Sequence, residues 1–147
     1  MKISLICSHG GHLTEILNLK DAFEGHDIFF ISYDNFRTRD LKERKYLMEN
    51  IGTNPWKMVK AFFKIFNILR NEKPDILIST GSEIAIPAFI LAKTMKIRTV
   101  FIESWCRVKT KSGTGKILYH FSDLFLVQWP ELLEFYGEKA KYEGAVI

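Results

Sequence analysis

The feature that most constrains the fold is a regular alternation of short apolar segments with helical ones. The segments predicted as strands are residues 3–7, 28–31, 76–79, 99–102 and 124–127. Strands that are apolar along their whole length are typical of a parallel sheet covered by helices on both faces. We therefore predict an α/β fold, a Rossmann-like doubly wound parallel sheet, with residues 1–147 forming a single domain.

The segments between these strands supply the helices. We predict helices near residues 11–23, 55–70, 84–95, 116–121 and 130–136. Pro55, Pro87 and Pro130 each fall in a first helical turn, where the missing N–H costs little. The charged stretch 33–54 lacks clear periodicity, so we predict a loop there with a short exposed helix near residues 40–48.

Charge and cysteine usage restrict the class of protein. The net charge of +4 fits anionic ligands or anionic lipid and is too weak to indicate nucleic acid, although an ordinary basic soluble protein would look the same. The two cysteines, Cys7 and Cys106, form no metal or disulfide motif, which favours a reducing compartment. We expect no signal peptide and no membrane-spanning segment.

Three polar loops, residues 8–12, 80–83 and 103–112, each follow a predicted strand. Ligands of doubly wound sheets bind beyond the carboxyl ends of the strands, so we expect these three loops to form the ligand-binding edge of the sheet. Gly10 and Gly11 let the backbone approach a ligand and leave helix N–H groups free for an anion. A plain tight turn is the alternative. The spacing does not fit a dinucleotide fingerprint.

His12 lies in the first turn after the glycines. It would act as a general base toward a hydroxyl, bind phosphate when protonated, or merely cap the helix. The spacing of His9, His12 and Glu15 also suggests a metal, but the glycines explain that spacing and no fourth ligand is evident. We predict no metal site.

The other two loops repeat this design with different side chains. Gly81 and Ser82 precede a helix, and Glu83 either contacts ligand or only complements the helix dipole. Glu103 follows a strand and Arg107 lies four residues on, with a guanidinium suited to phosphate or carboxylate. A solvated basic loop is the alternative for this segment.

The helix at 55–70 has one polar stripe and two apolar seams. The first seam contains Met58, Phe62, Ile65 and Leu69, and the second contains Trp56, Val59, Phe63 and Phe66. One seam is enough to dock on a sheet, so we predict that the other meets a membrane surface. The predicted contacts are Trp56, Lys57, Lys60, Phe63, Lys64 and Phe66. A deeply packed core helix is the alternative.

The second half of the chain carries a familiar series of motifs. They are ESWCRV at 103–108, GKILYH at 115–120, SD at 122–123 and VQWP at 127–130. In this order they resemble the acceptor-side, membrane-anchoring subunit of the split N-acetylglucosaminyltransferase that builds the dolichol-linked chitobiose core. They are equally similar to short prokaryotic polysaccharide-biosynthesis relatives of that subunit. The glycine–histidine loop and the turn at Gly81 match the same family.

This resemblance implies the N-terminal half of a GT-B glycosyltransferase. It implies a donor-binding partner subunit of similar size on a separate chain and a lipid-diphosphate-linked acceptor. It places the protein peripherally at the cytoplasmic face of the cell membrane. The donor would be a nucleotide-diphosphate sugar, with no cofactor and no metal. A non-catalytic membrane scaffold and a stand-alone nucleotide-binding Rossmann module are the alternatives.

The loops and the resemblance together nominate the site residues. The bacterial transferase that makes lipid II has a similar glycine–histidine loop facing its cleft, which favours a catalytic role for His12. We predict that His12 and Glu103 are catalytic. The residues predicted to bind ligand are Gly10, Gly11, Gly81, Ser82, Glu83 and Arg107.

Overall fold

The computed structural model describes residues 1–147 and contains one seven-stranded parallel sheet. The strands are β1 Lys2–Ile6, β2 Asp27–Tyr33, β3 Arg44–Met48, β4 Ile76–Ser79, β5 Arg98–Ile102, β6 Leu124–Val127 and β7 Ala140–Tyr142. Their order is β3-β2-β1-β4-β5-β6-β7, and every neighbouring pair is parallel. The strand order reverses between β1 and β4, which is the point where such sheets bind ligands. The predicted Rossmann-like doubly wound fold is confirmed.

Six α-helices and two short 3₁₀ segments connect the strands. The helices are α1 Gly11–Asn18, α2 Phe36–Arg39, α3 Pro55–Glu72, α4 Ala85–Thr94, α5 Gly113–Leu118 and α6 Leu133–Tyr136, and the 3₁₀ segments are Lys20–Phe23 and Pro130–Leu132. Helix α3 begins at Pro55 as predicted, because the Asn54 side chain accepts hydrogen bonds from the first free N–H groups. It ends at Glu72, because the next residue, Lys73, has a left-handed backbone (φ 50°) that stops the helix.

Two apolar clusters hold the helices to the sheet. Successive strand residues point to opposite faces, so Leu5 enters the smaller cluster and Ile6 the larger. The smaller cluster includes Leu13 and Ile16 of α1. The larger one includes buried residues of α3, α4, α5 and α6, and it is the main core of the molecule.

The predictions for residues 33–54 and for the end of the chain need correction. Residues 44–48 form the edge strand β3, where a short helix was predicted, and the helix of this region is α2. Beyond α6, residues 140–142 form β7, for which no strand was predicted. Both strands lie at sheet edges, where polar residues replace the continuous apolar run of a central strand. The helix predicted at 116–121 begins three residues earlier, at Gly113.

The two apolar seams of α3 have different surroundings. Ile65 and Leu69 of the first seam are buried in the core. Trp56 and Phe63 of the second seam are 76% and 61% exposed. Phe66 of the same seam is half-buried and packs against the core cluster. None of the helices is both long enough and apolar enough to cross a membrane.

Candidate functional site

A pocket of about 500 Å³ lies at the carboxyl edge of the sheet, beside the point where the strand order reverses. It is open to solvent, and only one of its 15 lining residues is hydrophobic. Residues from all three loops line it: Ser8, His9, Gly10, His12, Gly81, Ser82, Glu83, Glu103, Ser104, Arg107 and Ser112, together with Tyr33, Asn50, Gly113 and Thr114. Of the catalytic and ligand-binding residues nominated from sequence, only Gly11, the first residue of α1, does not line this pocket.

The glycine loop presents free backbone donors. The carbonyl of Gly10 accepts hydrogen bonds from the N–H groups of Leu13 and Thr14. The backbone N–H groups of Gly11 and His12 have no partner in the chain. Arg37 of α2 fixes the loop by donating to the carbonyls of His9 (3.2 Å) and Gly10 (3.1 Å). Sequence reasoning missed Arg37, because it lies far along the chain in a segment without periodicity.

The second loop packs directly against His12. Gly81 has φ +128°, and a Cβ at this position would lie 2.7 Å from Cε1 of the imidazole. The Thr80 hydroxyl donates to the carbonyl of His12 at 2.7 Å. Glycine is therefore required at position 81 both for its backbone conformation and for the space that the ring occupies.

His12 and Glu15 form a close pair within α1. Nδ1 of His12 lies 3.8 Å from Oε2 of Glu15, and both atoms are buried without a hydrogen-bond partner. The structure brings together no group of three His, Cys, Asp or Glu side chains that would hold a metal ion. The three-residue spacing that suggested a metal ligand therefore places a carboxylate behind the imidazole.

Glu83 gives the pocket an acidic side. Its carboxylate accepts hydrogen bonds from the Tyr33 hydroxyl (2.9 Å) and the Ser82 hydroxyl (2.8 Å). Burial alone would raise the pKa of Glu83, but hydrogen bonds from its own N–H, from Ser82 and from Tyr33 outweigh burial and lower it. Burial, with Glu83 as neighbour, raises the pKa of Tyr33. At neutral pH this pair is thus a carboxylate that accepts from a neutral phenol.

Glu103 is 1% exposed and organises the third loop. Its carboxylate accepts hydrogen bonds from the N–H of Ser104 (2.9 Å), the hydroxyl of Ser112 (2.9 Å) and the hydroxyl of Tyr136. Gly115 packs so closely against this carboxylate that a Cβ would overlap it. Because protein donors occupy both oxygens, the geometry favours a positioning role for Glu103 over the predicted catalytic one.

Arg107 is the free cation of the pocket. Its side chain is exposed and makes a single long contact, 3.4 Å from Nη1 to the Thr110 hydroxyl. In the same loop, the ring of Trp105 packs 5.5 Å from that of Trp129, and the indole N–H of Trp129 donates to the carbonyl of Trp105. Because Arg107 is exposed and has no close partner, its guanidinium is available to an anionic ligand.

Comparison with known proteins gives one family and a set of relatives. Residues 34–146 match the model of the family described as "Oligosaccharide biosynthesis protein Alg14 like". The human UDP-N-acetylglucosamine transferase subunit ALG14 is 26% identical over 181 residues, which cover 100% of this chain and 83% of that protein. A Staphylococcus saprophyticus pyrophosphoryl-undecaprenol N-acetylglucosamine transferase is 29% identical, over 93% of this chain and 43% of its own length.

Two solved structures show the same fold. The MurG of Acinetobacter baumannii matches with a TM-score of 0.82 at 15% identity, over 99% of this chain and 46% of that one. The UDP-GlcNAc 2-epimerase of Methanocaldococcus jannaschii matches with a TM-score of 0.78 at 21% identity, also over 99% and 46%. This chain therefore spans about half the length of these structures, and the predicted correspondence to one half of a GT-B fold is confirmed.

Proposed function

Since this chain belongs to the Alg14-like family of oligosaccharide biosynthesis proteins, we propose that it is the acceptor-side subunit of a two-chain glycosyltransferase. The donor would be UDP-N-acetylglucosamine, the sugar nucleotide in the names of its relatives. The acceptor would be a sugar linked to a lipid diphosphate. A second chain of similar size would bind most of the donor nucleotide.

The position of the pocket is the observation that carries this proposal. It lies at one open edge of a single sheet, in a chain that matches 46% of a complete transferase of the same fold. In a two-domain protein this edge would face the second domain across a cleft. We propose that another polypeptide supplies this second wall, because the relatives of this chain are named as subunits of a transferase.

The side chains of the pocket suit transfer of a sugar to a hydroxyl. Nε2 of His12 would accept the proton of the acceptor hydroxyl as its oxygen bonds to the anomeric carbon. The bond from that carbon to the nucleotide diphosphate breaks, and the diphosphate leaves with the electron pair. Diphosphate oxygens would receive hydrogen bonds from the free N–H groups of the glycine loop and from Arg107. Gly81 and Ser82 would complete the wall beside His12.

Reconstitution tests the two-chain proposal. Transfer of labelled N-acetylglucosamine from its UDP derivative to lipid would be measured in host membranes, with each chain alone and with both. We expect transfer only when both chains are present. Transfer by this chain alone would contradict the proposal and favour a self-sufficient module.

A substitution tests the role of His12 in the same assay. We expect His12→Ala to reduce turnover about 10²-fold or more while the complex still assembles, because a positioned proton acceptor contributes at least that much. His26→Ala is the matched control, since this exposed histidine lies at the opposite edge of the sheet. Unchanged turnover in His12→Ala would exclude His12 from the mechanism and favour the scaffold alternative.

We also propose that the exposed face of α3 binds the membrane surface. Trp56, Val59 and Phe63 form an exposed apolar strip, and Lys60 is exposed beside it. The other two predicted lysines have protein contacts, Lys57 with Glu49 (2.7 Å) and Lys64 with the carbonyl of Leu47 (2.8 Å). Helix α3 starts at the edge of the sheet where the pocket lies, so this face would bring lipid close to the site.

Flotation with anionic liposomes tests this membrane contact. We expect Trp56→Ser/Phe63→Ser to reduce the floated fraction, because the two largest exposed rings of α3 are removed. Phe135→Ser is the control, an exposed aromatic residue on α6. Equal flotation of the double variant and the wild type would exclude α3 as the contact.

A further inference from the structure

We infer, on the basis of the proposed function, that Glu15 is a positioning residue that orients His12 and couples it to the third loop. Glu15 lies on α1, three residues after His12, and is only 3% exposed. A buried carboxylate needs partners, because an unpaired buried charge is strongly unfavourable. The partners of Glu15 therefore indicate what it does.

Only one oxygen of this buried carboxylate has its partners within the chain. Oε1 accepts hydrogen bonds from the N–H of Trp105 (2.8 Å) and the hydroxyl of Ser104 (3.3 Å). Oε2 is buried and has none. Native proteins leave few such atoms unpaired, and each one requires an explanation.

The nearest complementary atom is Nδ1 of His12. It lies 3.8 Å from Oε2 of Glu15 and is itself buried without a partner. This separation exceeds a hydrogen bond, but catalytic hydrogen bonds are often long before substrate binds and tighten in the complex. Gly81 lies against the imidazole and Thr80 holds the His12 carbonyl, so the ring is kept beside Glu15. We propose that a small rotation of the ring closes the gap when substrate binds.

A hydrogen bond from Nδ1 to Glu15 would determine the protonation of the ring. A neutral imidazole carries one proton, so a proton on Nδ1 leaves a lone pair on Nε2. Nε2 is not buried and has no partner in the chain. The His12 side chain lines the pocket, so Nε2 is open to a ligand there. The acceptor hydroxyl would then give its proton to Nε2, and the Glu15 carboxylate would stabilise the imidazolium without taking a proton itself.

No other charged group competes for Nδ1. Glu83, the acidic side chain that faces His12 from the second loop, already accepts from Tyr33 and Ser82. The carboxylate of Glu103 is occupied by its own loop. His9 and Arg107 line the same pocket and carry donors. Glu15 is therefore the carboxylate placed to orient the ring, and its bonds to Ser104 and Trp105 connect the ring to the third loop.

The substitution Glu15→Gln separates positioning from packing. Glutamine has the same shape, and its carbonyl oxygen still accepts from the N–H of Trp105. Its amide N–H₂ group faces Nδ1 in place of Oε2, so it favours the tautomer with the proton on Nε2. Nitrogen-15 spectra of the His12 ring in the chain alone report this tautomer without any substrate. We expect the Nδ1–H tautomer in the wild type and the Nε2–H tautomer in Glu15→Gln.

Turnover supplies the second measurement. In the two-chain assay with UDP-N-acetylglucosamine and host membranes, we expect Glu15→Gln to lower kcat about 10²-fold with KM unchanged. Glu24→Gln, an exposed glutamate at the opposite edge, is the control and should match the wild type in both measurements. Thermal melting of Glu15→Gln verifies that the chain folds.

Two results would overturn the role of Glu15: an Nε2–H tautomer in the wild type, or full kcat in Glu15→Gln where His12→Ala is impaired. The wild-type spectrum decides the first even if Glu15→Gln fails to fold. If His12→Ala itself retains full turnover, the proposed catalytic role of His12 fails. The spectra still decide whether Glu15 orients the ring.

Discussion

Gly81 shows at the scale of a single residue how the backbone serves the site. Its φ of +128° is rarely adopted by other residues, and its missing side chain makes room for the His12 ring. Gly25 also has a positive φ, of +82°, but a Cβ there would meet nothing within 4 Å. Alanine substitutions at Gly81 and Gly25 would both strain the backbone, but only the one at Gly81 would also displace the imidazole.

We predict that Gly81→Ala lowers turnover and stability together. The positive φ alone costs about 1 to 3 kcal/mol in a residue with a side chain. The added methyl group would also push the imidazole away from its place. Gly25→Ala should lose stability alone, as measured by chemical denaturation beside the two-chain transfer assay. Full turnover in Gly81→Ala would show that the position of the ring is not critical.

The residues of the site divide according to whether the sequence reveals them. His12 and Gly81 stand in loops directly after apolar strands, so their place at the carboxyl edge follows from the fold alone. Arg37 binds the glycine loop, and Tyr33 binds Glu83. Both are tertiary contacts that no local sequence pattern predicts. Glu15 did leave a signal, its spacing from His12, but that spacing fits a metal ligand as well as an orienting carboxylate.

At the scale of secondary structure, Glu72 ties three elements together. This residue ends α3 and is 9% exposed. Its carboxylate binds Arg44 of β3 (2.7 Å), the Tyr46 hydroxyl of the same strand and Lys2 of β1 (3.2 Å). Burial alone would raise the pKa of Glu72, but these hydrogen bonds outweigh burial and lower the pKa from 4.5 to about 2. The edge strand β3 is thus fastened by ionic contacts as well as by its ladder.

We predict that Glu72→Gln destabilises the chain in a pH-dependent way. At pH 7 the loss should be about 1 to 3 kcal/mol, after allowance for solvent screening of the partly exposed partners. The unfolded carboxyl group takes up its proton near pH 4.5 and the folded one only near pH 2. The stabilisation is therefore complete above about pH 4.5 and is lost as the pH falls toward 2.

Chemical denaturation of the wild type and Glu72→Gln across this pH range measures the effect. Glu49→Gln is the matched control, since Glu49 pairs with Lys57 on the surface and should change stability little. A loss of stability in Glu72→Gln that does not vary with pH would exclude the ionic contribution.

The central and edge strands differ in how well the sequence predicts them. The five inner strands are continuous apolar runs, and their position in the chain was predicted within two residues at each end. The edge strands β3 and β7 contain Arg44, Lys45 and Lys141, and their pairing depends on a neighbouring strand that supplies the ladder. Charged residues on an edge strand prevent it from pairing with other chains. The same residues interrupt the apolar run from which a strand is predicted, so the local sequence does not indicate one there.

At the scale of the whole molecule, the site residues all lie at one end of the sheet, the carboxyl edge, where the strands end. The carboxyl edge holds the pocket, free N–H groups and the paired rings of Trp105 and Trp129. A typical stable interface buries about 800 Å² per partner. That is a small part of the 7928 Å² of accessible surface of this chain. A partner that completes the cleft would therefore cover the carboxyl edge and leave most of the molecule exposed.

Hydrogen exchange on the isolated chain and on the two-chain complex tests this arrangement. We predict slower exchange on complex formation in residues 8–12, 80–83 and 103–112, because N–H groups there would lose their contact with water. Residues 24–26 and 73–75 lie at the opposite edge and should exchange equally in both samples. A stable complex that protects the opposite edge and leaves the three loops unchanged would mean that the partner binds elsewhere. The open pocket would then be complete without a second wall, and the site would have to act on its ligands with the side chains of this chain alone.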